Sequence, residues 1–498
     1  MGEMQEEKLL KIRKYILISV MLAMFMGAIE GTIVATAIPA IVGDLGGFSL
    51  YSWVFSAYLL MSTVTVLIYG KLADLFGRRP VLSFGIIIFL IGSFLCGIAH
   101  TMEQLIIFRF IQGIGAGAVM PIASTIVGDV YTGEDRARVQ GYLSSVWGIS
   151  AVMGPAVGGL LVQYVSWRWV FWVNIPLGIF SIIGLYIFFK EEKEKKKRDI
   201  DFLGSFLFML SISIFMFILV EGGVRWEWFS KEILLLFLLS AFLFYIFLKH
   251  EQKFSEPMMP LHIWKNKPIR LANIVSFTTG LMLIGISSFL PAYVQGVMEK
   301  TATIAGFTLT AMSIGWPIAS TFSGKLIIKI GFRITLVIGG IFLMLGSVLF
   351  VTIIPQGGPL GAAFASFFVG IGMGLTSTAF IVMIQNSTSW SHRGVATASN
   401  MFMRNLGNTV GAALLGAILN NRILAYFSQE KSDIVNELTI ESTNMLLNVE
   451  ERVLLSEELK VILQNALSSA LNYVYIAVLV FACISFIFIY LIPKDVKN

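Results

Sequence analysis

Apolar residues fall into runs of about twenty along almost the whole chain, each closed by a short polar, basic or Gly/Pro-rich segment. Twenty residues of helix cover about 30 Å, the thickness of a bilayer's hydrocarbon core. Fourteen such runs are legible, over 15–40, 51–70, 81–99, 104–128, 138–163, 169–189, 202–220, 232–249, 271–294, 304–324, 333–353, 360–385, 395–419 and 473–493. The pattern predicts an all-α integral membrane protein with fourteen transmembrane helices. The segment 420–472 departs from it: acids cluster there, and Ile434, Leu438, Val453, Leu454, Leu459, Ile462 and Leu463 recur at helical spacing. Amphipathic helices lying on one membrane face are expected, serving as a solvated connector, a lid or a partner site. The opening MGEMQEEKLLKIRKY lacks the pattern of a cleavable leader, so the first span is expected to stay as an anchor.

Composition narrows the chemistry. With 56% hydrophobic and 13% charged residues in 498, a soluble fold is excluded. Cys96 and Cys483 both lie in apolar runs and the four histidines are scattered, so neither a disulfide framework nor a metal site is expected. Lys71 and Lys325 follow glycine but precede leucine, so no phosphate-binding loop for an ATP-driven pump is present. No cluster of His, Cys or paired acids marks a membrane enzyme, and no catalytic residue is expected.

Charge sets the orientation. If the N-terminus lies inside, 26 of the 36 Lys and Arg fall in inner segments and eight in outer ones, with Arg109 and Arg404 inside spans. This bias predicts cytoplasmic N- and C-termini in a cell membrane. It explains the basic balance by an anionic inner leaflet, without nucleic acid.

Two echoes reveal an internal repeat. GKLADLFGRRP, starting at Gly70, matches GKLIIKIGFR, starting at Gly324, at an offset of 254. GIGAG at 113–117 matches GIGMG at 370–374 at an offset of 257. The expected plan is a six-helix bundle over 1–189, two inserted helices with inner linkers over 190–270, and a second bundle over 271–498 that includes the 420–472 loop. A site between duplicated halves is the plan of an alternating-access transporter. The inserted helices are expected to be peripheral.

These residues resemble the major facilitator superfamily and, within it, the fourteen-span drug:proton antiporters. Gly70, Asp74, Gly77, Arg78 and Arg79 match the family's inner gating loop, with Leu75 where an Arg is common. Leu105, Arg109, Gln112 and Gly113 match its second motif, which implies a role for Arg109 in proton handling; a structural Arg bonded to carbonyls is the other reading. Gly141, Ser150, Gly154, Pro155, Gly158 and Gly159 resemble the antiporter motif, with Ser150 at a usual glycine. On residues alone, positions 150, 154 and 158 are a stripe for close helix packing. WRWVFWVNIPLG, 167–178, looks like the segment that opens the sixth span in this family, and its tryptophans also suit an interfacial belt.

Glu30 is the one carboxylate well inside a span of the first half, some 22 Å along a helix begun at Tyr15. EGTIVATAIP resembles the family's first-span pattern, which more often has Asp. Glu30 is therefore the expected site where proton and substrate compete, with a structural partnership to Arg109 as the alternative. Gln112, Asn174, Gln295, Gln385, Asn400, Arg404 and Asn405 could line a cavity, and Asp129 and Glu221 are secondary acids at helix ends. The resemblance implies a monomeric proton-coupled antiporter, without cofactor, exporting small amphipathic and preferably cationic compounds through the bilayer. Export of a physiological lipid, peptide or metabolite, and cation/proton antiport, are the alternatives.

Overall fold

The computed structural model describes residues 2–131, 133–189, 191, 201–254, 257, 261–352, 354–388, 393–430 and 438–493. Most of the basic linker at 190–199 lies outside them. The long helices are α1 (Gly2–Leu45), α2 (Tyr51–Phe76), α3 (Arg78–Gly97), α4 (Met102–Val130), α5 (Gly133–Tyr164), α6 (Asn174–Phe188), α7 (Phe202–Glu221), α8 (Lys231–Glu251), α9 (Lys267–Ala292), α10 (Ala302–Thr352), α11 (Ile354–Asn386), α12 (Arg393–Gln429) and α13 (Glu457–Tyr490). Among the described residues, twelve helices are long and apolar enough to cross a membrane, and no strand is present. Side-chain oxygens of Thr101, Asp201, Ser230 and Ser456 cap α4, α7, α8 and α13, satisfying amides left free in the first turn.

The repeat is visible in the turns. Gly77, between α2 and α3, has φ 96°, and Gly331, its echo, has φ 80° inside α10. A side chain is disfavoured in this region of φ, so both glycines are required where the chain reverses. The reversal in α10 follows from its contacts. Gly370 of α11 abuts Met312, while Gly372, one half-turn on, abuts Leu343. A straight helix would hold Met312 and Leu343 about 46 Å apart, so α10 folds back at Gly331 into two antiparallel arms. Each copy of the turn is tied in the same way. Arg79 donates to Phe189 O at 3.0 Å and lies over the Tyr186 ring. Arg333 donates to Tyr490 O at 3.0 Å and lies over its ring.

Helices α1–α6 pack on one another, as do α9–α13, and the groups meet through α1–α9, α2–α12 and α5–α10. The inserted pair is less peripheral than its composition implies. Helix α7 packs on both α2 and α12: Phe208 meets Phe402 at 5.5 Å and shares a buried cluster with Leu60, Val64 and Val410. It therefore covers one seam between the groups. Helix α8 lies outside it and exposes Leu234, Leu235, Phe237, Leu238 and Phe242.

The end where α1 begins is here termed the basic face, and the opposite end the distal face. Hydrogen bonds between the groups concentrate distally. Tyr51 Oη donates to Ser288 O at 2.6 Å, Asn420 Nδ2 to Ser49 O at 2.8 Å, and Gln295 Nε2 to Thr36 O at 3.2 Å. The one farthest toward the basic face, among the described residues, joins the hydroxyls of Thr63 and Thr409 at 3.4 Å. The distal end is closed.

Residues 438–456 cap that end with short helical turns, while Leu459, Ile462 and Leu463 lie in the first turns of α13; 431–437 lie outside the described residues. The Glu441 carboxylate accepts from Phe48 N at 2.8 Å and Ser49 Oγ at 2.6 Å, and Asn448 Nδ2 donates to Gly43 O at 2.8 Å. Arg452 donates to Gln295 O at 2.7 Å. Burial pulls the Glu441 pKa upward, but hydrogen bonds from Ser49, Asn444 and the Phe48 and Ser49 amides outweigh it and hold the carboxyl below the ordinary carboxylate value. Its contribution to docking is thus complete above the ordinary value, about 4.3, and is lost as pH falls through the lowered one. The melting temperature is expected to be flat from about pH 7 to pH 5 and to drop below about pH 4, with Glu441→Gln removing part of that drop. A Glu441→Gln protein with an unchanged acid limb would show that the loop docks without this carboxylate.

Candidate functional site

Glu30, Arg109, Gln112 and Asn174 converge in the structure. Glu30 comes from the middle of α1, Arg109 and Gln112 from one face of α4 three residues apart, and Asn174 from the first residue of α6. None of the four is more than 1% exposed. Arg109 Nη1 donates to Glu30 Oε1 and, at 2.6 Å, to Gln112 Oε1; its Nε donates to Val54 O of α2 at 3.1 Å. Asn174 Nδ2 donates to Glu30 Oε2 at 2.6 Å. The guanidinium lies 4.2 Å from the centre of the Tyr58 ring.

A second layer from α3 completes the network. Ser93 Oγ donates to Phe171 O at 2.9 Å and accepts from Gln112 Nε2 at 3.0 Å and Asn174 Nδ2 at 3.2 Å. Cys96 Sγ donates to Gln112 Oε1 at 3.8 Å. Sequence reasoning missed Ser93, Tyr58 and the Val54 carbonyl. Ser93 in an apolar run was a weak signal, while a backbone acceptor leaves none. Removing two charges from water is unfavourable by several kcal/mol per ion, and the pair is tolerable because nearly every polar group around it is satisfied. The Asn174 Oδ1, buried without a partner, is the exception.

The antiporter-motif residues pack α5 between the two groups. Ser150 O accepts from Thr32 Oγ1 at 3.3 Å, and Gly154 and Gly158 abut Thr32, Ile33 and Thr36 of α1. Gly159 faces the other way: a Cβ there would come within 2.7 Å of Ala302 O in α10. The Pro155 carbonyl lies against Gly306. Gly141 also lies in α5. At the basic face, Arg78 pairs with Asp129 at 2.5 Å, and Glu191 accepts from the Arg78 and Arg79 amides at 2.8 and 3.1 Å. Gly70 has open space around it, and the side chain of Asp74 lies outside the described ones.

The other candidate residues lie apart. Asn400 donates to Asn273 Oδ1 and Ser276 Oγ; Gln295 sits in the distal seam; Gln385, Arg404 and Asn405 are half-buried. Glu221 ends α7, where its carbonyl accepts from the Val224 and Arg225 amides.

The sequence profile described as Major Facilitator Superfamily matches residues 20–412. The chain belongs to this superfamily. Among curated members, it is 38% identical over 410 residues to "Multidrug transporter protein MdtP" of Bacillus subtilis (strain 168), covering 82% of this chain and 76% of the relative. It is also 38% identical over 408 residues to "Multidrug resistance protein 3" of the same organism, covering 82% and 80%. A crystal structure of a bacterial homolog to the human lysosomal transporter Spinster, inward-facing and unoccupied, superposes with a TM-score of 0.69 at 15% identity, covering 96% of each chain. At that identity the likeness concerns the superfamily fold alone. The network just described sits within one group of helices and adjoins the seam through α1 and α5.

Proposed function

We propose that this protein is a proton-coupled antiporter that exports amphipathic compounds across the cell membrane. The observation that carries the proposal is the enclosed Glu30–Arg109 pair, shared by four helices and linked to the seam through α1 and α5. An intramembrane ion pair is retained at an energetic cost, which favours a functional role. The names of the multidrug relatives support drug-like substrates.

Two halves, 1–189 and 271–498, rock around a site between them, with 190–270 inserted. Fourteen spans result if α5 crosses and the two arms of α10 count separately. The basic face is cytoplasmic, so both termini lie inside. A proton gradient drives transport, without a cofactor, in a monomer.

Coupling follows from the geometry. In the distally closed state Glu30 is paired with Arg109. When a proton reaches the carboxylate, Arg109 keeps Gln112 Oε1, Val54 O and the Tyr58 ring as partners. Protonation therefore loosens α1 from α4 without stranding a cation. Helix α1 then moves against α5, whose other face carries the seam with α10.

The test is Glu30→Gln in inverted membrane vesicles. Glutamine keeps one acceptor oxygen for Arg109 but cannot ionise. Gradient-driven dye accumulation should fall by at least about tenfold, while substrate binding to the purified protein persists. Wild-type accumulation by Glu30→Gln vesicles would remove Glu30 from the coupling step.

A further inference from the structure

The charged groups of the spans are divided unequally between the two halves. In the first, the carboxylate of Glu30 and the guanidinium of Arg109 satisfy each other away from solvent. In the second, Arg404 stands on α12 with no such partner. Among the described residues its guanidinium makes no hydrogen bond and no ion pair; it lies 6.0 Å from the centre of the Trp316 ring on α10. A guanidinium inside a span is unfavourable unless water or a ligand solvates it.

Its position points to the space between the halves. Arg404 lies on α12 five residues to the basic side of Thr409, whose hydroxyl meets Thr63 of the first half. Trp316 precedes Pro317, which a Cβ on Gly148 of α5 would approach at 3.7 Å. Both residues thus flank the seam, just on the basic side of the contacts that close the distal end. Helices α10 and α12 are not a closely packed pair, so the side chains reach toward each other across the face that one half turns to the other. No free carboxylate competes for Arg404 there. Among the described acids, Glu30 is held by Arg109, Asp129 by Arg78, and Glu221 lies at the distal end of α7.

We infer that Arg404 and Trp316 form a subsite for the acidic group of an amphipathic organic anion, a carboxylate or sulfonate carried on an aromatic body. The planar guanidinium offers paired N–H donors that match such a group, and the indole face takes the adjoining ring. The inference rests on the exporter reading and fixes its substrate class, placing an anion preference beside the cation preference that Glu30 alone would give. An anion leaving as a proton enters also carries positive charge inward, so the membrane potential assists both movements.

The test compares anilinonaphthalene sulfonate with its uncharged parent, phenylnaphthylamine, which differs only by the acidic group. In inverted vesicles holding the full-length protein, Arg404→Gln should lower the ratio of sulfonate to parent transport about tenfold, and Arg404→Lys, which keeps the charge without the paired donors, should restore only part of it. An unchanged ratio in Arg404→Gln, or an equal loss of both dyes in Gln and Lys variants, overturns the subsite. If wild-type vesicles move neither dye under a gradient, the exporter reading fails by itself. Equilibrium binding of the dyes to purified protein then decides the subsite: sulfonate binding weakened about tenfold by Arg404→Gln upholds it, and equal binding overturns it. Should Arg404→Gln fail to insert, competition on the wild type serves, where displacement of the sulfonate dye by equimolar parent would overturn the inference and preference for the sulfonate would uphold it.

Discussion

Arg109→Leu is expected to be the most damaging single substitution in the first half, lowering stability by about 3–5 kcal/mol, enough to lose most of the folded protein. The loss arises from what is left behind. Glu30 has 0% exposure, and without Arg109 its carboxylate is left with neutral amide neighbours, Asn174 Nδ2 at 2.6 Å first among them. Gln112 Oε1 and Val54 O lose their charged donor as well. The converse change should be mild, because in Glu30→Gln the guanidinium retains three partners. The double variant Glu30→Gln/Arg109→Leu should therefore recover much of the stability, since no buried charge remains. Thermal unfolding of the four proteins in one detergent closes the cycle. Equal stability of Arg109→Leu and wild type would mean that water reaches the pair and that its enclosure does not shape the energetics.

The same pair shows how far the sequence carried. Glu30 and Arg109 stood out because each is a charge in an apolar run, and a partnership between them was the alternative to a coupling role for Glu30. Periodicity could not tell which way Glu30 points. Helix α1 is apolar on every side, so lipid, neighbouring helices and a central space are equivalent neighbours in its sequence. The structure turns Glu30 into the first half, toward α4 and α6, and not into the space between the halves. The placement of α7 was hidden for the same reason: Phe208 and Leu207 read as lipid-facing until Leu60 and Phe402 are brought beside them. By contrast the turn at Gly331 was legible, since the repeat of Gly77 fixed both the residue and its role. Arg404 was visible as a charge, but that it has no ion-pair partner among the described residues is a property of the packing alone.

Gly306→Leu is expected to unbalance the transport cycle more than any other change at the seam. Gly306 of α10 lies directly against the Pro155 carbonyl of α5, and a Cβ there would also come within 2.8 Å of the Pro155 carbonyl carbon. Neither atom can yield by changing a rotamer, because both are backbone. Overpacking of this kind costs about 1–3 kcal/mol, and here the cost falls only on the conformation in which the halves meet distally. Between two states a few kcal/mol apart, a shift of that size changes the population ratio by about fivefold to over a hundredfold. Ser52 is a suitable reporter: it is buried in the α2–α12 seam beside Gly416. A cysteine at Ser52 should react slowly with a membrane-impermeant maleimide in the parent and at least about five times faster with Gly306→Leu present. Gradient-driven transport should fall in parallel. Gly324→Ala, at a position with open space around it, is the matched control. If labelling and transport both stay at parental levels in Gly306→Leu, the α5–α10 contact is not what holds the distal end shut, and the α2–α12 seam with its cover of α7 becomes the element that does.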